Sequence, residues 1–191
     1  MIYTNKKIEK ALNEMGFEEF TPIQSETIPM IQKGNDIIGH SQTGTGKTAA
    51  FAIPILEQLD YDNTHIQAIV LCPTRELAVQ VKSEIDRIGK YLPQLKTVAI
   101  YGGESIQKQI ISLKKKPQII VGTPGRTIDH INRKLIKLGN IKYLVLDEAD
   151  EMLKMGFKED IETILESSND DRQTVLFSAT MPKTIVGISK K

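Results

Sequence analysis

Tryptophan is absent from the 191 residues, and cysteine occurs once, at Cys72. One thiol excludes an intrachain disulfide and a cysteine-based zinc site. Cys72 ends the apolar run Ala68-Ile69-Val70-Leu71-Cys72 and reads as a buried small hydrophobe. His40, His65 and His130 are scattered, so no histidine pair is spaced for a metal. Charge of one sign is lacking too. Lys and Arg number 25 against 24 Asp and Glu, a formal net charge of +1. With no global basic field, any nucleic-acid contact must be local. The densest basic cluster, Lys114-Lys115-Lys116, reads as a solvated helix end. No apolar run approaches the ~20 residues of a membrane span. Met1-Ile2-Tyr3-Thr4-Asn5-Lys6-Lys7 has no apolar signal core. These absences predict a cytoplasmic monomer without membrane contact.

What is present is a repeated alternation. Short apolar runs occur at residues 36–39, 68–72, 97–100, 118–121, 143–146 and 174–177, each rich in Ile and Val or closely similar residues. Runs of that length and character predict central strands covered on both faces. Helical patterns fill the intervals: 48–59, 74–92, 103–113, 124–135 and 158–165. The alternation predicts an α/β domain, an open and mostly parallel sheet with helices on both faces. Residues 1–20 read as a flanking amphipathic helix, with Ile8, Leu12 and Met15 on one face, and 21–191 as the α/β domain. Ligands of such a sheet bind at the carboxyl ends of its strands. The residues after the runs are nearly all polar, Gly or Pro, which marks one functional edge.

Two motifs on that edge carry chemistry. Ser41-Gln42-Thr43-Gly44-Thr45-Gly46-Lys47-Thr48 follows a strand and opens a helix. Gly46-Lys47-Thr48 is the ending of a Walker A loop, although Ser41 stands where the motif's first Gly is usual. Glycines let backbone amides wrap phosphates, and the helix presents its positive end to them. Lys47 is expected to reach the β- and γ-phosphates of a nucleotide, and Thr48 to ligate Mg²⁺. The plain alternative is a Gly/Thr-rich turn without ligand. Asp147-Glu148-Ala149-Asp150 follows the run Tyr143-Leu144-Val145-Leu146, the arrangement of a Walker B acid. Asp147 is expected to hold Mg²⁺, directly or through water, and Glu148 to orient and deprotonate the attacking water. The plain alternative is an acidic helix start.

With these residues in place, the sequence resembles the DEAD-box RNA helicases over nearly its whole length, from about Ala11 to Pro182. The tetrapeptide Asp147-Glu148-Ala149-Asp150 spells the family name, and Glu151 to Phe157 resembles the bacterial general-purpose members. The resemblance implies a RecA-like ATP-binding domain with ATP and Mg²⁺ as ligands. It assigns Gly16-Phe17 through Thr21-Pro22-Ile23-Gln24 to the adenine-reading Q motif, with Gln24 on the base and Phe17 nearby. It places RNA backbone on Pro73-Thr74-Arg75, Gly102-Gly103 and Thr123-Pro124-Gly125-Arg126, without sequence preference. It gives Ser178-Ala179-Thr180, with Asp150, the coupling of hydrolysis to strand separation. Two departures stand out. The family's aromatic residue about 17 positions before Gly16 has no counterpart, and Phe20 replaces the usual Pro.

The family's second α/β domain supplies arginines to the γ-phosphate. The chain is therefore expected to be the first of two domains, slow or inactive in hydrolysis by itself and unable to unwind. Two other readings remain open: an ATP-gated, non-catalytic RNA clamp, and a DNA-directed P-loop ATPase.

Overall fold

In a computed structural model of the chain, residues 5–42, 44–181 and 183–188 are described. Six strands form one sheet: β1 (Ile37–His40), β2 (Ala68–Leu71), β3 (Thr97–Ile100), β4 (Ile119–Gly122), β5 (Tyr143–Leu146) and β6 (Gln173–Ser178). Their order is β1-β6-β5-β2-β4-β3, and every pairing is parallel. All six expected runs are strands, two with the expected bounds and the others differing by one residue at one or both ends.

The helices are α1 (Lys6–Glu14), α2 (Pro22–Gln32), α3 (Lys47–Gln58), α4 (Arg75–Ile88), α5 (Ile106–Leu113), α6 (Pro124–Asn132), α7 (Ala149–Lys154), α8 (Lys158–Glu166) and α9 (Lys183–Ile188). Side chains of successive strand residues point to opposite faces. Val70, Val121, Val145 and Phe177 therefore pack in one core, with Phe51 of α3 and Val81 and Ile85 of α4. Ile69, Leu71, Ile120, Leu144, Leu146 and Leu176 pack in the other, with Ile161 and Ile164 of α8. The flanking helix contributes Ile8 and Leu12 to the first core. It spans only Lys6–Glu14, because Gly16 follows in a left-handed turn at φ +81°. Residues 1–4 of the expected helix lie outside the described residues.

One expectation fails at the sheet's margins. β2, β4, β5 and β6 are buried throughout, but β1 and β3 are edge strands. Ile38 is 47% exposed and His40 also faces outward, so β1 is covered on one face only. At the sheet's margin the helix layer leaves one face of β1 uncovered, so Ile38 and His40 are exposed whatever the strand's composition.

Parallel pairing in register brings the strand ends to one edge. His40 lies beside Ser178, and Leu71 beside both Leu146 and Gly122. The residues that follow, Ser41, Ala179, Asp147, Cys72 and Thr123, therefore share a rim. The β1 position beneath the loop depends on close packing. A Cβ on Gly39 would lie 2.5 Å from two carbons of the Phe177 ring. Gly39→Ala is expected to cost about 1–3 kcal/mol through overpacking. Urea unfolding should show Phe177→Leu recovering much of that loss in the double variant, a coupling that independent sites would not give.

Candidate functional site

The phosphate loop takes its shape from two glycines. Gly44 and Gly46 have φ of +80° and +86°, backbone that other residues adopt only with strain. Gly46 caps α3 with no side chain on the helix's first amides, which leaves them directed outward. A Cβ at Gly46 would also collide with the Gln24 amide. Ser41 is buried and its hydroxyl meets that of Thr45, which donates to the Gln42 carbonyl at 2.9 Å. The Ser at the motif's first position thus braces the loop from inside. Thr43 lies outside the described residues.

Lys47 opens α3 and is buried, with its ammonium 3.6 Å from Asp147 Oδ1. That separation is an ion pair but too long for a hydrogen bond. Asp147 follows β5, and its amide donates to the Leu71 carbonyl at 2.9 Å. Its Oδ1 is buried without any hydrogen-bond partner. Burial pushes the carboxyl up to about 6, the neighbouring Glu148 charge adds to this, and Lys47 opposes it. An enclosed carboxylate oxygen without a donor is what a divalent cation would satisfy. Asp147 and Thr48 fit Mg²⁺ on this ground, since that ion takes few protein ligands beside phosphate and water. Glu148, next to Asp147, adopts φ +55° and ψ +53°. A non-glycine residue held in that conformation at a site is strain that the surroundings must maintain.

Lys47, Thr48, Asp147 and Glu148 line a cavity of about 400 Å³. α4 supplies its far wall through Leu77, Gln80 and Glu84. Burial raises the Glu84 carboxyl above its ordinary value, and bonding to the Thr48 hydroxyl opposes that rise. Gln80 and Glu84 were not foreseen as site residues. The only signal is their spacing from Leu77 on one turn-to-turn face of the helix.

A second cavity, of about 530 Å³, lies on the other side of the loop between α2 and the end of β1. Pro22, Ile23, His40 and Gln42 are among its walls. The two residues assigned to the base are not. Gln24 is buried, and both ends of its amide are engaged with backbone. Its Oε1 accepts from the Thr21 amide at 3.0 Å, and its Nε2 donates to the Gly46 carbonyl at 3.0 Å. Thr21 donates to the Thr45 carbonyl at 2.9 Å. Phe17 packs against the first core. In this structure the segment from Thr21 to Gln24 clamps the phosphate loop, as α2 begins with Pro22 in its first turn.

Beyond β6, Thr180 donates to Asp150 Oδ2 at 3.1 Å. Burial acts to raise the Asp150 carboxyl, but bonds from Ser178, Thr180 and the Ala179 amide outweigh it and hold the group below its ordinary value. The Ser178 oxygen, with one proton to give, also lies 2.6 Å from the Thr180 carbonyl, and His40 Nε2 lies 2.7 Å from the Ala179 carbonyl.

The other half of the rim is built from turns and helix starts. Thr74 caps α4, accepting from the Leu77 amide at 3.2 Å, just after Pro73. The exposed Arg75 guanidinium lies 4.9 Å from the Tyr101 ring centre. Gly102 and Gly103 follow, both exposed, with Gly103 at φ +80°. Thr123 caps α6 without a side-chain bond, Pro124 is its first residue, and Gly125 is exposed. Arg126 differs from the expectation of a free phosphate ligand. Its Nη1 donates to the Glu104 carbonyl at 3.2 Å, and its side chain is only 16% exposed.

Comparison with known proteins gives consistent matches. The DEAD/DEAH box helicase family profile matches residues 21–188. The chain is 60% identical to the ATP-dependent RNA helicase CshA of Limosilactobacillus reuteri over 92% of its own length and 35% of that protein's. It is 56% identical to the DEAD-box ATP-dependent RNA helicase CshA of Bacillus subtilis over 95% of its length and 37% of that protein's. It thus spans about a third of these curated relatives. A DEAD box protein structure from Methanococcus jannaschii matches at TM-score 0.94 and 48% identity, over 100% of this chain and 52% of that one. A hypothetical ATP-dependent RNA helicase from Sulfolobus tokodaii matches at TM-score 0.90 and 42% identity, over 98% and 54%.

The clamp generates a test of Gln24. Removing one buried hydrogen bond costs about 1–2 kcal/mol, on the order of tenfold in affinity. Gln24→Ala should weaken binding of ATP and GTP by the same factor in calorimetric titration. A loss confined to ATP would instead make Gln24 a reader of the base.

Proposed function

The chain belongs to the DEAD/DEAH box helicase family, and from that premise we propose that it is the first domain of an ATP-dependent RNA helicase, binding ATP on one half of the rim and RNA backbone on the other. One observation carries the reading of the nucleotide half. A buried Lys47 and an Asp147 carboxylate whose Oδ1 accepts no hydrogen bond face each other as an ion pair beside a glycine loop that caps its helix without a side chain.

On this reading Lys47 pairs with the β- and γ-phosphates. Loop residues Ser41, Gln42, Thr43, Gly44, Thr45 and Gly46 shape the cradle that receives them. Thr48 and Asp147 hold Mg²⁺, which offsets the phosphate charge. Glu148 orients the attacking water and takes its proton. The base occupies the cavity against Pro22 and Ile23, whose shape rather than a Gln24 contact selects it. RNA phosphates lie across Pro73-Thr74-Arg75, Gly102-Gly103 and Thr123-Pro124-Gly125, where helix-start amides and close-approaching glycine backbone meet them. Such contacts reach sugar and phosphate, so binding is independent of sequence. Asp150, Ser178 and Thr180 link the nucleotide half to strand separation. A second helicase domain completes the γ-phosphate site with arginines, and the intact protein acts in the cytoplasm.

The rival reading as a non-catalytic clamp is disfavoured by the paired acids Asp147 and Glu148. A DNA-directed ATPase would respond to DNA in the same assay. ATP binding and hydrolysis by the chain, with and without single-stranded RNA, test the proposal. ATP should bind, with little turnover even when RNA is present. Strong RNA-stimulated turnover would show that no second domain is required. Lys47→Ala is expected to abolish nucleotide binding. Joined to a second domain, Glu148→Gln should keep binding and stop turnover, and continued turnover would remove Glu148 as the base.

A further inference from the structure

Gln109 lies in the first half of α5, outside every motif assigned a role so far, and is buried at 2% exposure. A side-chain amide offers two N–H donors and two acceptor positions. Here all four are used. Nε2 donates to the Tyr101 carbonyl at 2.9 Å and to the Glu104 carboxylate at 3.2 Å. Oε1 accepts from Arg126 Nη1 at 3.1 Å and from His130 Nε2 at 3.0 Å. The last bond requires a proton on His130 Nε2. His130 Nδ1 is buried with no partner, and burial holds the ring below its usual pKa, which favours the neutral form with its single proton on Nε2.

These bonds continue, beyond the paired ends of β3 and β4 at Ile100 and Gly122, the link between the loops that follow them. Tyr101 opens the Gly102-Gly103 turn, and its ring lies beneath Arg75. Arg126 belongs to the start of α6, and the same Nη1 reaches back to the Glu104 carbonyl. Two segments of the rim therefore meet at one side chain, and Arg75 reaches that junction only through the Tyr101 ring. An exposed glycine turn left untied would be ordered only on binding, at about 1–2 kcal/mol per residue.

We propose that Gln109 is a positioning residue for RNA binding: it ties the Gly102-Gly103 turn to the amino end of α6 so that both meet one strand already in place. Arg126 serves the same tie from the other side, which is why its guanidinium points inward. The inference rests on the reading of this half of the rim as the RNA-backbone surface.

Gln109→Glu separates the two sides of the junction. A carboxylate still accepts from Arg126 and His130, but it cannot donate to Tyr101 and repels Glu104. Binding of a labelled single-stranded RNA by the chain, measured by anisotropy at low salt with a non-hydrolysable ATP analogue and Mg²⁺, should weaken roughly tenfold for the loss of preordering. Analogue affinity should be unchanged. Adding Glu104→Gln, which exchanges donor and acceptor, should recover part of the RNA affinity. If Gln109→Glu does not fold, Gln109→Asn, too short to reach all four partners, should weaken RNA binding in the same direction. RNA binding equal to wild type in a folded variant overturns the positioning role alone. Absence of RNA binding by the wild type overturns the reading of the surface, and the inference with it.

Discussion

The buried Lys47–Asp147 pair is the constraint around which the rest is arranged. Two opposite charges lie 3.6 Å apart, out of water and without a hydrogen bond between them. Taking such groups from water is expensive, and their mutual attraction at that distance repays it poorly. They are held there by the sheet. Lys47 follows β1 and Asp147 follows β5, with β6 between them. That intervening strand ends at Ser178, and the Thr180 hydroxyl beyond it bonds Asp150. A site for a charged ligand and the segment that answers to it thus come from three adjacent strands.

The strand order divides the rim into two halves. β1, β6 and β5 carry the phosphate loop and the acids, while β2, β4 and β3 carry Arg75, the glycine turn and the start of α6. They meet where β5 pairs with β2 and the Asp147 amide bonds the Leu71 carbonyl. Chemistry on the first half uses buried side chains. The second half presents backbone and is shaped from behind by buried polar groups such as Gln109 and His130.

Much of this was legible in the amino-acid order. The six apolar runs are the six strands, and the rim follows from their parallel register. The phosphate loop and the acidic strand end fall where expected. What was hidden depends on tertiary context. α2 carries an internal proline, Pro29, and buries Gln24 and Thr27, so it shows no clear apolar stripe. α7 is six residues long and starts on the left-handed Glu148. Ile38 looks like core, but its strand lies at the margin. Gln80, Glu84 and Gln109 are polar residues within helices, which read as solvated surface until packing shows what they face. Gln24 was assigned to a base because of its motif; its bonds to the Thr21 amide and the Gly46 carbonyl depend on packing that the motif does not show.

The helix α4 begins at Arg75, beside the glycine turn, and its later turns place Gln80 and Glu84 in the wall of the nucleotide cavity. Its Val81, Ile85 and Ile88 are sunk in the first core. A single continuous rod therefore borders both halves of the rim and is anchored along its length. The spacing between those halves behaves as a ruler rather than a hinge: flexing it would mean tearing the helix from the core. A ligand that spans both halves therefore meets a surface whose dimensions were set when the chain folded.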